Sequence, residues 1–152
     1  MTYSLIYVLS SIAHILSTQY DIPIYISAVP QGVVTPCFFI SPMPMTSRSQ
    51  IDSRIYNEVS LDIVYMMEPN AINVTTSAYE VIDFLNENLE TFDYYEEDDD
   101  DPTGVMHTYD RSVSFQDMDM HYNCTIKARG HIEVDETLMQ SLEDINYEIK
   151  QS

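Results

Sequence analysis

Hydrophobic and polar residues alternate strictly between positions 121 and 134. This two-residue period is typical of a β-strand that buries one face and exposes the other. A strand of this length exceeds the usual span of about 5–6 residues, so we expect it to organise the sheet around it. Its expected buried face carries Tyr122, Cys124, Ile126, Ala128, Gly130, Ile132 and Val134.

Residues 105–116 repeat the alternation, and Asp117, Met118, Asp119 and Met120 lie between the two segments. Because aspartate favours turns, we predict a long antiparallel hairpin. Its tip either extends beyond the body of one subunit or is covered by its own domain. In the first case the four turn residues are candidate contacts with another subunit or a partner.

The expected register of this hairpin places Phe115 opposite Tyr122 and Asp110 opposite Lys127. It satisfies an apolar face and a cross-strand charge pair together. A shift by one residue would exchange the two faces, so the register also decides which side chains are buried. Those expected inside on the first strand are Val105, Tyr109, Val113 and Phe115.

Three segments show the period of amphipathic helices, namely residues 2–18, 76–91 and 135–150. The second has the capping-box pattern of Ser77 and Glu80 near its start. We expect each helix to bury one apolar stripe against the sheet. These stripes contain Leu5, Leu9, Ile12 and Leu16; Ala78, Ile82, Leu85 and Leu89; and Leu138, Leu142, Ile145 and Ile149.

Three further strands are expected at residues 22–28, 36–40 and 55–66, the second of them buried on both faces. Residues 41–50 contain two prolines and are expected to form an irregular loop. These elements predict an α+β fold, a mostly antiparallel or mixed β-sheet packed by N-terminal, central and C-terminal helices. A length of 152 residues suits one domain.

Charge limits the partners that this chain can have. Six basic residues stand against 25 acidic ones, for a formal net charge of −19. Such a surface repels nucleic acid phosphates, which leaves a partner with a basic face or a wall that DNA passes without sticking. The longest acidic run is predicted to be a solvated loop without the spacing of a calcium site. It consists of Glu96, Glu97, Asp98, Asp99, Asp100 and Asp101.

Arg48 and Arg54 form a local basic island on this acidic chain. They are interpreted either as a pair of exposed salt bridges or as a contact site for an acidic neighbour. The sequence leaves both alternatives open.

No constellation of residues indicates catalysis, a metal site or a cofactor. The chain has no GxSxG, HExxH, CxxC or glycine-rich phosphate motif. Cys37 and Cys124 lie in apolar runs and are expected to be buried free thiols. His107 and His121 are expected on opposite faces of the hairpin. With no transmembrane or signal segment predicted, we expect a non-enzyme assembled inside a cell.

The segment from Ile24 to Ile40 contains a Gln31–Gly32 turn followed by the strand sequence PCFFI. It resembles a signature of the phage tail terminator, or tail completion, proteins of Gram-positive tailed phages and prophages. The strand at 57–65 and the helix at 77–89 follow in the order of that family. The resemblance covers about residues 1–90 in sequence and the remainder in element order only. The acidic run resembles an insertion, and the C-terminal helix is longer than the family pattern.

The resemblance implies a structural virion protein without a cofactor. It implies a ring, expected to be hexameric, that stops tube polymerisation at the head-proximal end of the tail. The implied partners are sister copies, the tail tube protein, a head-completion or neck protein and, in a contractile tail, the sheath. Genome DNA would pass through the ring without specific binding. The implied location is the head–tail interface of the virion, after assembly in the host bacterial cytoplasm.

Two other functions remain open from the sequence. One is another neck component, such as a head-completion or stopper protein. The other is an acidic DNA mimic that inhibits a host protein, for which carboxylates should be spread over one face of a monomer or dimer. The position of the protein in intact particles separates the first from a terminator, and the size of the assembly separates the second.

Overall fold

A computed structural model describes residues 2–26, 31–43, 46–49, 55–68, 74–97, 100–129 and 131–133. Within these ranges the chain forms two helices and nine strands. The helices are α1 (Leu5–Gln19) and α2 (Val74–Asn88). The strands are β1 (Thr2–Ser4), β2 (Ile24–Ile26), β3 (Cys37–Pro42), β4 (Thr46–Ser49), β5 (Ile55–Met66), β6 (Thr91–Tyr94), β7 (Gly104–Gln116), β8 (Asp119–Arg129) and β9 (His131–Glu133).

A mixed sheet forms the body of the protein, in the strand order β2-β3-β5-β8-β7-β6, with β4 also paired to β5. Strands β5 and β8 lie at its centre and pair antiparallel from Tyr56 opposite Arg129 to Met66 opposite Asp119. Strand β2 runs parallel to β3, and the other neighbours in this sheet run antiparallel. The predicted α+β class is therefore confirmed. The third predicted helix, at residues 135–150, lies outside the described residues.

One buried cluster joins both helices to the same face of the sheet. Leu9 and Leu16 of α1, Leu85 of α2, and Leu61 and Ile126 of the central strands are fully buried within it. Burying one such side chain contributes about 1.5–3 kcal/mol. The helix-to-sheet seam is therefore the main source of stability, and the opposite face of β5 and β8 is free to carry polar residues.

The sequence predicted a helix that begins at residue 2, but α1 begins at Leu5. The preceding residues are extended and pair in parallel with β9, with Tyr3 opposite Ile132. The helical pattern itself is correct, since Leu5, Leu9, Ile12 and Leu16 are all buried. The predicted start of the helix was wrong because β9, from a distant part of the sequence, pairs with residues 2–4 and holds them in an extended conformation.

Helix α2 begins at Val74 and ends at Asn88, so the predicted capping box is wrong. Ser77 lies inside the first turn, where its hydroxyl is 2.8 Å from the hydroxyl of Tyr65. The helix also ends earlier than predicted, because residues 91–94 form β6 and pair with the start of β7. At Ser77, the contact with the Tyr65 hydroxyl thus takes the place of the capping hydrogen bond that the sequence pattern indicated.

Strand β5 has the predicted bounds, and β3 contains the expected apolar run. The predicted irregular loop at residues 41–50 is wrong for residues 41–42 and 46–49, which lie in strands, and residues 44, 45 and 50 lie outside the described residues. Strand β3 continues to Pro42, the Met43 amide donates to the Ser60 carbonyl at 2.7 Å, and β4 then resumes pairing along β5. Strand β5 is long enough to pair with both segments, with Leu61 opposite Pro42 and Glu58 opposite Thr46.

Strands β7 and β8 pair antiparallel around a two-residue turn, but in a register other than the predicted one. Phe115 lies opposite Met120, and Val113 lies opposite Tyr122. The pairing shifts between Tyr109 and Ser112, which leaves two residues of β7 opposite one of β8. This is a β-bulge, a feature that changes which face each side chain occupies.

The bulge explains which predicted inner side chains of β7 are wrong. Before it, Met106 and Thr108 are buried, whereas Val105 and Tyr109 are exposed on the other face. The expected pair of Asp110 with Lys127 is also absent, because the two-residue turn shifts the pairing by two positions and Asp110 lies in the bulge with a φ of 52°. Alternation in sequence cannot reveal a bulge that falls between two regular segments.

Candidate assembly surfaces

The hairpin turn ends level with the neighbouring strand and does not extend beyond the sheet. The Met67 amide, just past β5, donates to the Met118 carbonyl at 3.1 Å. Of the four predicted contact residues, Asp117 and Met118 are exposed, Asp119 is half-buried and Met120 is fully buried in the core. Only the first two present a free surface in this subunit.

Exposed apolar side chains lie beside this turn. Val113, Phe115 and Tyr79 are 40%, 46% and 56% exposed. The Phe115 ring lies edge-on to the Tyr79 ring of α2, with centroids 6.1 Å apart. We call these three residues the tip patch. Val113 and Phe115 share the inner face of the sheet with buried Tyr122 and Met120, so the tip patch is a part of the core face left uncovered.

The backbone of β7 is also unpaired along one side near the turn. Strand β6 pairs only with Gly104–His107, and Thr108 adds one bond to the Glu90 carbonyl. Among the described residues, no strand pairs with the outer side of β7 from residue 109 to 116. The last five residues of this free edge, Ser112–Gln116, carry no charge. Uncharged edges of this kind pair readily with other chains.

The free edge and Tyr79 were missed by the sequence analysis. The signal for the edge was available, because residues 112–116 form an uncharged stretch in an acidic chain. No comparable signal marked Tyr79, since a single tyrosine on the polar side of a helix is common. Its position next to Phe115 follows only from how α2 packs under the sheet.

The start of the acidic run is fixed by two tyrosines. The Tyr94 hydroxyl accepts a hydrogen bond from the Ser4 amide at 3.0 Å and donates one to the Glu96 carboxylate at 3.2 Å. The Tyr7 hydroxyl lies 3.5 Å from the Glu97 carboxylate. Burial raises the pKa of Tyr94 to about 12, so it remains a donor at neutral pH. Asp100 and Asp101 are exposed, and Asp98 and Asp99 lie outside the described residues.

Cationic residues gather at the end of the sheet remote from the turn. Arg48 of β4 and Arg129 of β8 occupy register positions on either side of Tyr56. Lys127, two residues before Arg129, lies with its Nζ 5.0 Å from the centre of the Tyr109 ring. Arg54 lies outside the described residues. The register places Arg48 at this end of the sheet near two cations of β8, and the basic island of Arg48 and Arg54 stays a prediction.

The two histidines of the hairpin lie on the same face, so the prediction of opposite faces is wrong. The His121 Nδ1 is 3.0 Å from the Asp62 Oδ2 on the side of the sheet away from the helices. His107 lies on that face beside Tyr109, with ring centroids 6.5 Å apart. In the described contacts no serine, threonine or cysteine hydroxyl or thiol joins the His121–Asp62 pair, which is an acid–base pair without a nucleophile.

Both cysteines are buried and unbonded, as predicted. Burial raises the pKa of Cys37 to about 11 and that of Cys124 to about 12. Both thiols are therefore protonated at neutral pH and are poor nucleophiles.

The described residues contain no cluster of three or more potential metal ligands. Neither described helix is long and apolar enough to cross a membrane. An open groove of about 310 Å³ lies between α1 and β6. It is lined by His14, Ile15, Thr18, Asn88, Thr91, Phe92, Asp93, Tyr95 and Val105.

A free sheet edge and an uncovered apolar patch are features typical of subunits that associate with other chains. A sequence model of the phage tail terminator protein family matches residues 8–137, and the chain belongs to that family. The match covers most of α1, all of α2 and the hairpin, and so extends well beyond the first 90 residues. The protein is thus a structural component of a phage tail that lies in the virion and associates with other tail components. No curated protein matches this chain.

Proposed function

We propose that this protein forms a ring, of six copies, on the head-proximal end of the tail tube. The ring stops tube polymerisation and offers a surface to the head-completion proteins. Membership in the tail terminator family is the observation that carries this proposal. The role is architectural, and we assign no reaction to the protein.

The charge distribution supports a ring. Arg48, Lys127 and Arg129 lie at one end of the sheet, where Glu58 is opposite Lys127 and cations outnumber it, and Asp117 and Asp119 lie at the other end. A contact that joins unlike ends of two copies is head-to-tail, and repetition of such a contact generates a closed ring when the rotation allows closure. A face that paired with itself would bring like charges together.

The net charge of −19 supports a passage for DNA through the ring. Carboxylates repel phosphates, so genome DNA can move along such a wall without being held. We propose that the run Glu96–Asp101 faces either this passage or a basic patch on an adjacent ring. Replacing its six carboxylates by serine and asparagine should then alter genome ejection or tail length. Unchanged assembly and ejection would remove any role for the run.

The proposed function is tested by deleting the gene from its phage and measuring the tails by electron microscopy. Tails of uncontrolled, excessive length without heads are expected, and a plasmid copy of the wild-type gene should restore normal length. Normal particles from the deleted phage would contradict the proposal. Tails of normal length that fail to join heads would also contradict it, and would indicate another neck component.

A further inference from the structure

We infer that the free edge of β7 at Ser112–Gln116 pairs with strand β4 of a neighbouring copy. The added strand would lie over the tip patch and continue the sheet from one copy into the next. This inference rests on the proposed ring, and it assigns the ring contact to particular residues.

The backbone of the edge is ready to pair. Gln116 and Asp119 close the two-residue turn, and Ser114 lies opposite His121 two positions further along. Because hydrogen-bonding direction alternates along an antiparallel strand, Val113 and Phe115 direct their N–H and C=O groups away from β8. Within the described part of the chain these groups face no strand. An extended segment laid along them would gain main-chain hydrogen bonds, the mode of recognition called β-strand addition.

Helix α2, which packs under the sheet, extends beyond the β7 edge at this corner. Tyr79 on α2 is 56% exposed and contacts Phe115, the side chain at the border of the sheet. The helix layer is therefore wider than the strand layer at this corner. A strand added to β7 would cover the tip patch, and burial of apolar area is favourable by about 25 cal/mol per Å².

Charge selects the occupant. Arg111 precedes the edge at its far end, but the turn end and the tip patch are bordered by carboxylates, with Glu80 and Asp83 exposed on α2 and Asp117 exposed in the turn. The incoming strand should therefore bring a cation. Strand β4 has the sequence TSRS, with Arg48 at its third position. Pairing two β7 edges with each other would instead place both sets of carboxylates side by side.

The geometry of β4 fits this role. It pairs with β5 on one side, and no described strand pairs with its other side. Strand β4 lies on the β3 side of β5, and β7 lies beyond β8 on the opposite side. A contact between these two edges uses different surfaces on the two copies, so it can be repeated around a ring.

Disulfide trapping in virions tests the pairing directly. The variant Ser114→Cys/Ser47→Cys is supplied to the deleted phage, and oxidised particles are compared on non-reducing gels. A ladder of cross-linked species up to the full ring is expected, and neither single variant should give it. Cys37 and Cys124 are buried and give little background. The control pair is Ser114→Cys with Thr103→Cys, because Thr103 is exposed outside the proposed contact.

A second pair of variants keeps the inference testable if cross-linking prevents assembly. Val113→Lys/Phe115→Lys places charges on the tip patch, a change that blocks edge pairing. It should abolish restoration of tail length while the purified subunit remains folded by circular dichroism. Val105→Lys, also on an exposed residue of β7 but outside the free edge, should restore normal tails.

Four results would overturn the inference. They are no ladder in virions, a dimer from Ser114→Cys alone, restoration of normal tails by the double lysine variant, and loss of restoration by Val105→Lys. In each case wild-type protein would still control tail length, so the proposed function would stand. If wild-type protein failed to control tail length, the proposed function itself would fall, and this inference with it.

Discussion

The Tyr122 hydroxyl donates a 2.7 Å hydrogen bond to the Asn86 side-chain oxygen, and this bond ties β8 to α2. The tyrosine is fully buried, whereas Asn86 is exposed. Burial raises the pKa of Tyr122 to about 12, so the hydroxyl keeps its proton and remains a donor at any pH near neutrality. The contact fixes the central strand of the sheet over the helix that carries Tyr79.

Tyr122→Phe should lower the free energy of unfolding by about 0.5–1.5 kcal/mol, the usual net contribution of one hydrogen bond. The aromatic ring still fills its site, so no cavity adds to the loss. Asn86→Ala removes the same bond from the exposed side. In a double-mutant cycle followed by urea denaturation, the combined variant should lose less than the sum of the two singles. Strictly additive losses would show that the two groups do not interact.

The bulge in β7 predicts an unusual preference at Asp110. Its φ of 52° is in the left-handed region, which costs roughly 1–2 kcal/mol for residues with a Cβ and little for glycine. Asp110→Gly should therefore be more stable than Asp110→Val by about that amount. The same pair at Asp93, an exposed position in regular strand β6, should show the opposite order, because valine favours strands. Thermal denaturation of the four variants gives both differences. If the glycine and valine variants had the same order of stability at both positions, the bulge at Asp110 would be contradicted.

Thr108 holds the junction between α2 and β7. It is 5% exposed, and its hydroxyl donates to the Leu89 carbonyl at 2.6 Å. Thr108→Val leaves that carbonyl without its partner and should cost about 1–3 kcal/mol in denaturant titrations. Thr125→Val is the matched control, since the Thr125 hydroxyl lies 3.3 Å from the Ser60 hydroxyl on the half-exposed face of the sheet. A smaller loss is expected there, because water can replace the bond.

The buried thiols predict a loss of stability at high pH. An unfolded thiol has an ordinary pKa of 9.0, whereas folding raises the pKa to about 11 for Cys37 and about 12 for Cys124, mainly through burial. Well below pH 9 both states keep the proton, and the thiols leave the pH dependence of stability flat. Above it only the unfolded chain ionises, so the free energy of unfolding falls as the pH rises towards the folded pKa values.

Cys37→Ala/Cys124→Ala should show a shallower decline between pH 9 and 11 in urea titrations than the wild type. The tyrosines Tyr94 and Tyr122, whose pKa values are raised in the same direction, remain in both proteins and leave a residual slope. An unchanged slope would contradict this assignment. In parallel, a thiol reagent at pH 8 should label the unfolded wild type fully and the folded protein slowly.

The elements that sequence alone could predict are those whose side chains report burial through a regular period. Strand β5 was predicted with correct bounds, and the predicted stripe of α1 is buried. The stripe of α2 was correct at Ala78 and Leu85 but wrong at Ile82, which is only partly buried, because the neighbouring Val81 is the buried residue. The predictions were wrong where a contact with a residue distant in the sequence determines the local structure. Thr2–Ser4 extend because β9 pairs with them, and Ser77 contacts Tyr65 where a cap was expected. No local pattern contains those partners.

The contact role of the turn residues stays a prediction. Asp117 and Met118 are exposed, but Met120 was included although the same alternation makes it part of the core. The uncharged stretch 112–116 was a sequence signal for the free edge, but whether β7 has one neighbour or two depends on the length of β6. Strand β6 itself was hidden between a helix and an acidic run.

The central ladder of the sheet joins residues that are far apart in the sequence, with Tyr56 opposite Arg129 and Met66 opposite Asp119. Closing such distant pairs costs chain entropy before any contact repays it, so folding is expected to be slow compared with that of a helical protein of this size. During synthesis the ribosome must deliver the chain past Arg129 before the core can close. Until then the apolar faces of α1 and β5 are exposed in the nascent chain. We therefore expect this strand order to make folding in the cell dependent on chaperones.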